Sequence, residues 1–163
     1  VLGKQTVINY VGYMMDSYML FTLQNYAAKL VEKETSPKYY FMDTGLLGLM
    51  LMDCSSAQLE NLVAIELIRR YGRENVFYFE KNVEIDFYVP EEKLAIQVSL
   101  QVLDQIDTRE REIGAFVKLK NFIGDATCLL ITNSEEEELD YEGVHVSVVP
   151  VWKWLLQNRK QDI

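Results

Sequence analysis

VFYFEKNVEIDFYVPEEKLAIQVSL, residues Val76 to Leu100, decides the fold. Apolar residues recur at every second position in Val76 to Phe79, in Val83 to Val89 and in Leu94 to Leu100, which predicts three strands. Pro90-Glu91-Glu92-Lys93 supplies a tight turn between the second and the third. Alternation on the second strand sets Glu84, Asp86 and Tyr88 on one face and Ile85, Phe87 and Val89 on the other. On the third strand, Ala95, Gln97 and Ser99 oppose Leu94, Ile96, Val98 and Leu100. If the Pro90 turn pairs these strands, Asp86 and Gln97 come together on one side of the sheet.

Upstream lies LENLVAIELIRRY, Leu59 to Tyr71, the clearest helical pattern of the chain. Leu59, Leu62, Val63, Glu66 and Leu67 share one flank, Gly72 supplies a stop, and Asp53, Ser55 and Ser56 are N-cap candidates. Downstream, Thr108 to Phe122 reads as a second long helix carrying Ile113, Phe116, Val117 and Leu119. Ala126 to Asn133 and Val144 to Val149 read as strands, and Pro150 to Leu156 as a final helical turn or two. Glu135 to Glu138 is an acidic run, expected to be a solvated loop. The order helix, three strands, helix, strand predicts an α/β fold, a mixed sheet flanked by helices.

The N-terminal stretch has a different character. Val7 to Val31 is rich in Met and aromatic residues, and Tyr10, Tyr13, Met14, Tyr18 and Leu20 recur at helical spacing, favouring a buried helix. Leu20 to Ala28 fits either a strand or a second helix. Glu32 to Pro37 is a polar connector ending in proline. It divides an N-terminal appendage, residues 1–35, from a main domain, residues 36–163. Lys38 to Asp43 (KYYFMD) then reads as a short strand and Gly45 to Met52 as a short apolar helix or buried turn. The chain opens Val1-Leu2-Gly3 without methionine, as expected of an excised fragment.

Composition narrows the chemistry. At 163 residues, 49% hydrophobic and 25% charged, the chain can bury one substantial core. No apolar run reaches bilayer-spanning length, so neither membrane insertion nor a secretory leader is expected. Cys54 and Cys128 lie among apolar neighbours without CxxC spacing, the pattern of reduced core cysteines in a cytoplasmic protein. One histidine, His145, leaves little basis for His-ligated metal or Ser-His-Asp chemistry; it reads as a packed or edge residue. The formal charge of −9, from 16 basic and 25 acidic residues, disfavours nucleic acid as a dominant partner. No G-x-x-x-x-G-K-[ST] occurs, so this segment carries no P-loop.

Asp86, Gln97 and Glu60 are oxygen donors of the kind Mg²⁺ takes. Their convergence would suit metal-assisted phosphodiester hydrolysis. The same alternation equally describes a half-exposed strand with a solvated polar face, and Glu60 in a first helical turn is favoured by the helix dipole. Both readings stand at this point.

Four segments, KYYFMDTGL (Lys38 to Leu46), LENLVAIEL (Leu59 to Leu67), EIDFYV (Glu84 to Val89) and AIQVS (Ala95 to Ser99), occur in order. Together they resemble the carboxy-terminal domain of unknown function found in a large family of prokaryotic AAA-type ATPases. The resemblance covers about Val7 to Asn133. It implies an N-terminal Walker-type ATPase module outside this chain, the only route to ATP, followed by a winged-helix-like segment whose tail is residues 1–35. The domain itself is similar to the PD-(D/E)xK, or restriction-endonuclease-like, nuclease fold. Carried over residue by residue, Glu60 matches the helical acid, Asp86 the strand aspartate and Gln97 the Glu/Gln position, a set that implies Mg²⁺. Ser99 stands at the lysine position. A serine hydroxyl carries no positive charge to meet charge forming on phosphate, and loss of one such donor costs ~10²–10³ in rate.

Lys81 and Lys118 are the candidate migrated lysines, each more simply a solvent-exposed charge. Arg109 and Arg111 fit surface charges or a phosphate contact beside the sheet, and Trp152 and Trp154 anchors of the last helix. The expected function is a degenerate, non-catalytic module that interacts with or regulates its ATPase. The alternative is a Mg²⁺-dependent DNA or RNA endonuclease with an atypical site. A plain scaffold is the third possibility.

Overall fold

The computed structural model describes residues 3–27, 37–50, 55–103 and 106–157. Its elements run α1 (Lys4–Asp16), β1 (Leu20–Asn25), β2 (Lys38–Phe41), α2 (Thr44–Met50), α3 (Ser55–Tyr71), a short 3₁₀ turn (Arg73–Asn75), β3 (Phe77–Glu80), β4 (Glu84–Val89), β5 (Leu94–Val98), α4 (Ile106–Ile123), β6 (Thr127–Thr132), β7 (Glu137–Tyr141), β8 (Val144–Pro150) and α5 (Val151–Gln157). Eight strands form one mixed sheet in the order β2-β1-β3-β4-β5-β6-β8-β7. The α/β class expected from the sequence is the class observed.

The centre follows the three-strand stretch. β3, β4 and β5 are antiparallel, and β5 continues through α4 into a parallel β6. Lys93, at φ 47, closes the Pro90 turn by donating its backbone N–H to the Pro90 carbonyl at 3.1 Å. Two cores cover the faces. Ile113, Phe116 and Leu119 of α4 pack on Phe79, Ile85, Tyr88 and Leu130, while Val63, Ala64 and Leu67 of α3, with Trp154 of α5, pack on Tyr78, Phe87, Ile96 and Ile131. Gly72 ends α3 at φ 82, where a Cβ would fall 2.7 Å from Glu74 Oε1.

Strict alternation fails in β4. Phe77 pairs with Tyr88 but Phe79 with Ile85, so β4 carries one extra residue. Ile85 and Tyr88 therefore enter the same core, and Phe87 and Val89 the other. The face expected to hold Glu84, Asp86 and Tyr88 together is broken between Asp86 and Tyr88.

Three further expectations are corrected. α1 forms, but none of its residues is buried, and Tyr10 and Tyr13 stack edge-to-face in the open. Nothing among the described residues covers them. Leu20–Asn25 is a strand and sits between β2 and β3, so residues read with the N-terminal appendage belong to the sheet of the main domain. Glu137 and Glu138, expected in a loop, begin the edge strand β7, whose Leu139 alone is buried. Glu135 is not simply solvated either, because its carboxylate accepts the backbone N–H groups of Val102 and Leu103. Asp53 and Cys54 lie outside the described residues, as does most of the connector before Pro37.

A candidate cleft of paired charges

Beside the sheet, a cleft of about 510 Å³ is lined by Lys38, Glu60, Glu84, Asp86, Gln97, Glu110, Arg111, Glu112 and Lys118, among others. Glu60 comes from the first turns of α3, Asp86 from the bulged part of β4, and Gln97 from the end of β5. The structure thus brings these three sequence-selected residues to one place. It leaves Ser99 out of the lining: its hydroxyl donates to the Gln101 carbonyl at 3.1 Å and its N–H to Ile131.

The backbone rungs of the β4–β5 ladder end at Phe87–Ile96, and side chains take over. Gln97 Oε1 accepts the Asp86 N–H at 2.9 Å, and Gln97 Nε2 donates to the Glu84 carbonyl at 3.1 Å. Asp86 Oδ2 in return accepts the Val98 N–H at 2.9 Å. The strands spread here without leaving these buried backbone groups unpaired.

Sequence reasoning missed two residues of edge strand β2: Lys38, which lines the cleft, and Tyr40, which holds Glu60 from the core beside it. Lys38 Nζ lies 2.6 Å from Glu84 Oε1 and 3.8 Å from Asp86 Oδ1. Tyr40 donates its hydroxyl to Glu60 Oε1 at 2.8 Å. Their spacing of two places both on one face of β2, but no pattern in the sequence brings β2 to this cleft. Neither proposed migrated lysine has this position: Lys118 lines the cleft but is exposed, and Lys81 lies over the Phe122 ring.

The electrostatics follow from the packing. Burial pushes Asp86 up to about 7; the charge of Glu60 adds to this, and Lys38 and the Val98 N–H oppose it. Burial pulls the Lys38 ammonium down, but its hydrogen bond to Glu84 and the charges of Asp86 and Glu60 outweigh that, leaving it raised. Tyr40 is held well above the usual phenol range by burial and then by Glu60. Arg111 is paired with Glu112 at 2.6 Å.

Mg²⁺, implied by the nuclease resemblance, can be tested against these donors. The Gln97 oxygen is committed to a backbone N–H, and Glu84 and Asp86 share an ammonium already in place. Among the described residues, no three His, Cys, Asp or Glu side chains are arranged to hold a metal ion. As built, the cleft fits a protein-borne cation rather than a divalent ion.

The remaining candidates lie elsewhere. His145 is exposed between Glu138 and Asp140 on the β7–β8 edge, and the Asp140 hydrogen bond raises its pKa. Trp154 is buried, whereas Trp152 is 57% exposed. Cys128 is a buried free thiol, pushed up to about 11 by burial. Arg109 is half-buried on α4 outside the cleft lining.

Comparison with known proteins adds a modest frame. A family described as Domain of unknown function (DUF8612) matches residues 2–57, which hold α1, β1, β2 and α2. An uncharacterized protein of Methanocaldococcus jannaschii is 32% identical over 165 residues, covering 95% of this chain and 37% of that protein. The chain therefore spans little more than a third of the length of that curated relative. No solved structure matches. Among the described residues, no helix is long and apolar enough to cross a membrane.

Proposed function

We propose that this chain is a nuclease-like module that serves a larger ATPase, its own polypeptide, by interaction or regulation rather than by cutting nucleic acid. Two features support a restriction-endonuclease-like core. One is the succession α3-β3-β4-β5-α4-β6, with an antiparallel meander passing through a helix into a parallel strand. The other is the meeting of Glu60, Asp86 and Gln97 in one cleft. The observation that carries the non-cutting reading is that four acidic groups of the cleft, Glu60, Glu84, Asp86 and Glu112, have internal partners. Lys38 takes Glu84, Tyr40 takes Glu60, the Val98 N–H takes Asp86, and Arg111 takes Glu112. Ser99 turns elsewhere, and a net charge of −9 opposes a polyanion. A cytoplasmic location accords with the free Cys128.

Incubation with DNA and RNA in Mg²⁺ and in Mn²⁺, beside Asp86→Ala, tests the reading. The expected result is no Asp86-dependent cleavage. The full-length reading frame tests the attachment: a Walker-type module upstream supports it, and its absence removes it.

One observation favours the alternative, a divalent-cation-dependent endonuclease with an atypical site. Lys38 places an ammonium 3.8 Å from Asp86, although Ser99 lacks one. Cleavage abolished by both Asp86→Ala and Lys38→Ala would establish that reading in place of the first.

A further inference from the structure

We infer that Lys38 is the cleft's own cation, a side chain standing where a nuclease-like site would recruit a divalent ion. This rests on the interaction-module reading and deepens it. The ammonium touches Glu84 at 2.6 Å, reaches Asp86 at 3.8 Å and feels the charge of Glu60. It also lies 5.3 Å from the centre of the Tyr78 ring, whose face attracts a cation. Two carboxylates and one aromatic ring thus lie against a single positive charge, and the charge of a third carboxylate, Glu60, reaches it.

The charge is fixed by the fold. Lys38 pairs with Leu23 in the β1–β2 ladder, so its backbone is set before the side chain reaches the cleft. Three residues on, Asn61 of α3 accepts the N–H of Phe41 at 2.7 Å and donates to its carbonyl at 3.0 Å, closing the free edge of β2. Tyr40, between them, holds Glu60. Side-chain exposure is only 25% at Lys38 and 18% at Asp86, so salt screens the pair poorly. An ammonium delivered this way needs no recruitment from solution. Its removal leaves carboxylates without compensation, the costly half of breaking a shielded ion pair.

The test is thermal unfolding in EDTA, Mg²⁺ and Mn²⁺, with Mn²⁺ binding read by electron paramagnetic resonance. The wild type should unfold at one temperature in all three conditions and bind no Mn²⁺ through Asp86. Lys38→Met, which keeps the stem and removes the charge, should lose about 4–8 °C of Tm in EDTA. It should regain part of that loss, saturably, with Mn²⁺. Lys38→Arg should stay indifferent to metal, and Lys38→Met/Asp86→Asn should lose the Mn²⁺ response. Should Lys38→Met be too unstable to purify, the double variant, with one carboxylate fewer to neutralise, is expected to fold. Its failure would place the role of Lys38 in packing and overturn the inference. Asp86-dependent Mn²⁺ binding by the wild type would also overturn it, as would a Lys38→Met protein with unchanged Tm and no response to Mn²⁺. Cleavage by the wild type would sink the interaction reading, whereas Mn²⁺ binding without cleavage would sink only the role of Lys38.

Discussion

Gln97 Oε1 accepts the backbone N–H of Asp86 at 2.9 Å, so a side chain does the work of a main-chain rung between β5 and β4. Asp86 reciprocates by accepting the N–H of Val98. This exchange lets two neighbouring strands part at the cleft while their polar groups stay satisfied. Gln97→Leu, similar in size but apolar, would orphan the Asp86 N–H and the Glu84 carbonyl. A loss of about 2–4 kcal/mol is expected from the urea midpoint, one unmet buried partner costing about 1–3 kcal/mol. A loss below about 0.5 kcal/mol would show that water replaces both bonds.

Asp86 gives the stability an unusual pH dependence. Its pKa rises to about 7 in the fold, chiefly through burial. A raised acid binds its proton more tightly when folded, so its contribution is complete below the ordinary carboxylate range and is lost as pH rises toward 7. Denaturation midpoints should therefore fall across that window in the wild type. Asp86→Asn keeps an acceptor for Val98 and should flatten the fall. An equally steep slope in Asp86→Asn would assign the titration to another group.

One strand was left undecided by the sequence and one escaped it, for opposite reasons. Leu20–Asn25 is buried on both faces, so it shows no alternation, and a short continuous apolar run fits helix and strand alike. Glu137–Tyr141 shows the reverse: one buried leucine among acidic and exposed residues conceals a strand that pairs on one side only. By contrast, α3 and α4 each bury one face and were readable from period alone. At the site, Glu60, Asp86 and Gln97 could be chosen by type, spacing and resemblance. The entry of Lys38 could not, because it depends on β2 reaching the cleft from the edge of the sheet. The bulge in β4 leaves no mark in EIDFYV either.

Ser99→Lys asks whether restoring the missing group restores chemistry. Ser99 is half-buried, bonded to Gln101 and outside the cleft lining. A lysine there would start from the wrong direction and meet a site that already contains Lys38. No strong cleavage is expected with Mg²⁺ or Mn²⁺ in a DNA nicking assay. Robust cleavage would mean that the rest of the site is intact and that the pairing of its carboxylates is no barrier.

Arg70 offers a test of how α3 and α5 are held together. Its guanidinium donates to Glu66 at 2.7 Å and to the Trp154 carbonyl at 3.0 Å, and stacks 4.1 Å over the Trp154 ring. Arg69 reaches the same Glu66, but from a side chain 58% exposed against 8% for Arg70. Shared access to one carboxylate therefore predicts unequal effects. Lysine in place of Arg70 loses the planar stack and cannot make both directed bonds. Arg70→Lys should cost about 1–3 kcal/mol in urea, and Arg69→Lys less than about 1 kcal/mol. The acid limb should also change. The Arg69 hydrogen bond, opposed by burial and aided by Arg70, holds Glu66 below its usual range. That contribution is present at neutral pH and is lost as pH falls through the lowered value, the opposite sense to Asp86. Arg70→Lys should therefore weaken the acid dependence as well as the midpoint. Equal losses in the two variants would mean that charge alone, and not the stack on Trp154, joins the helices.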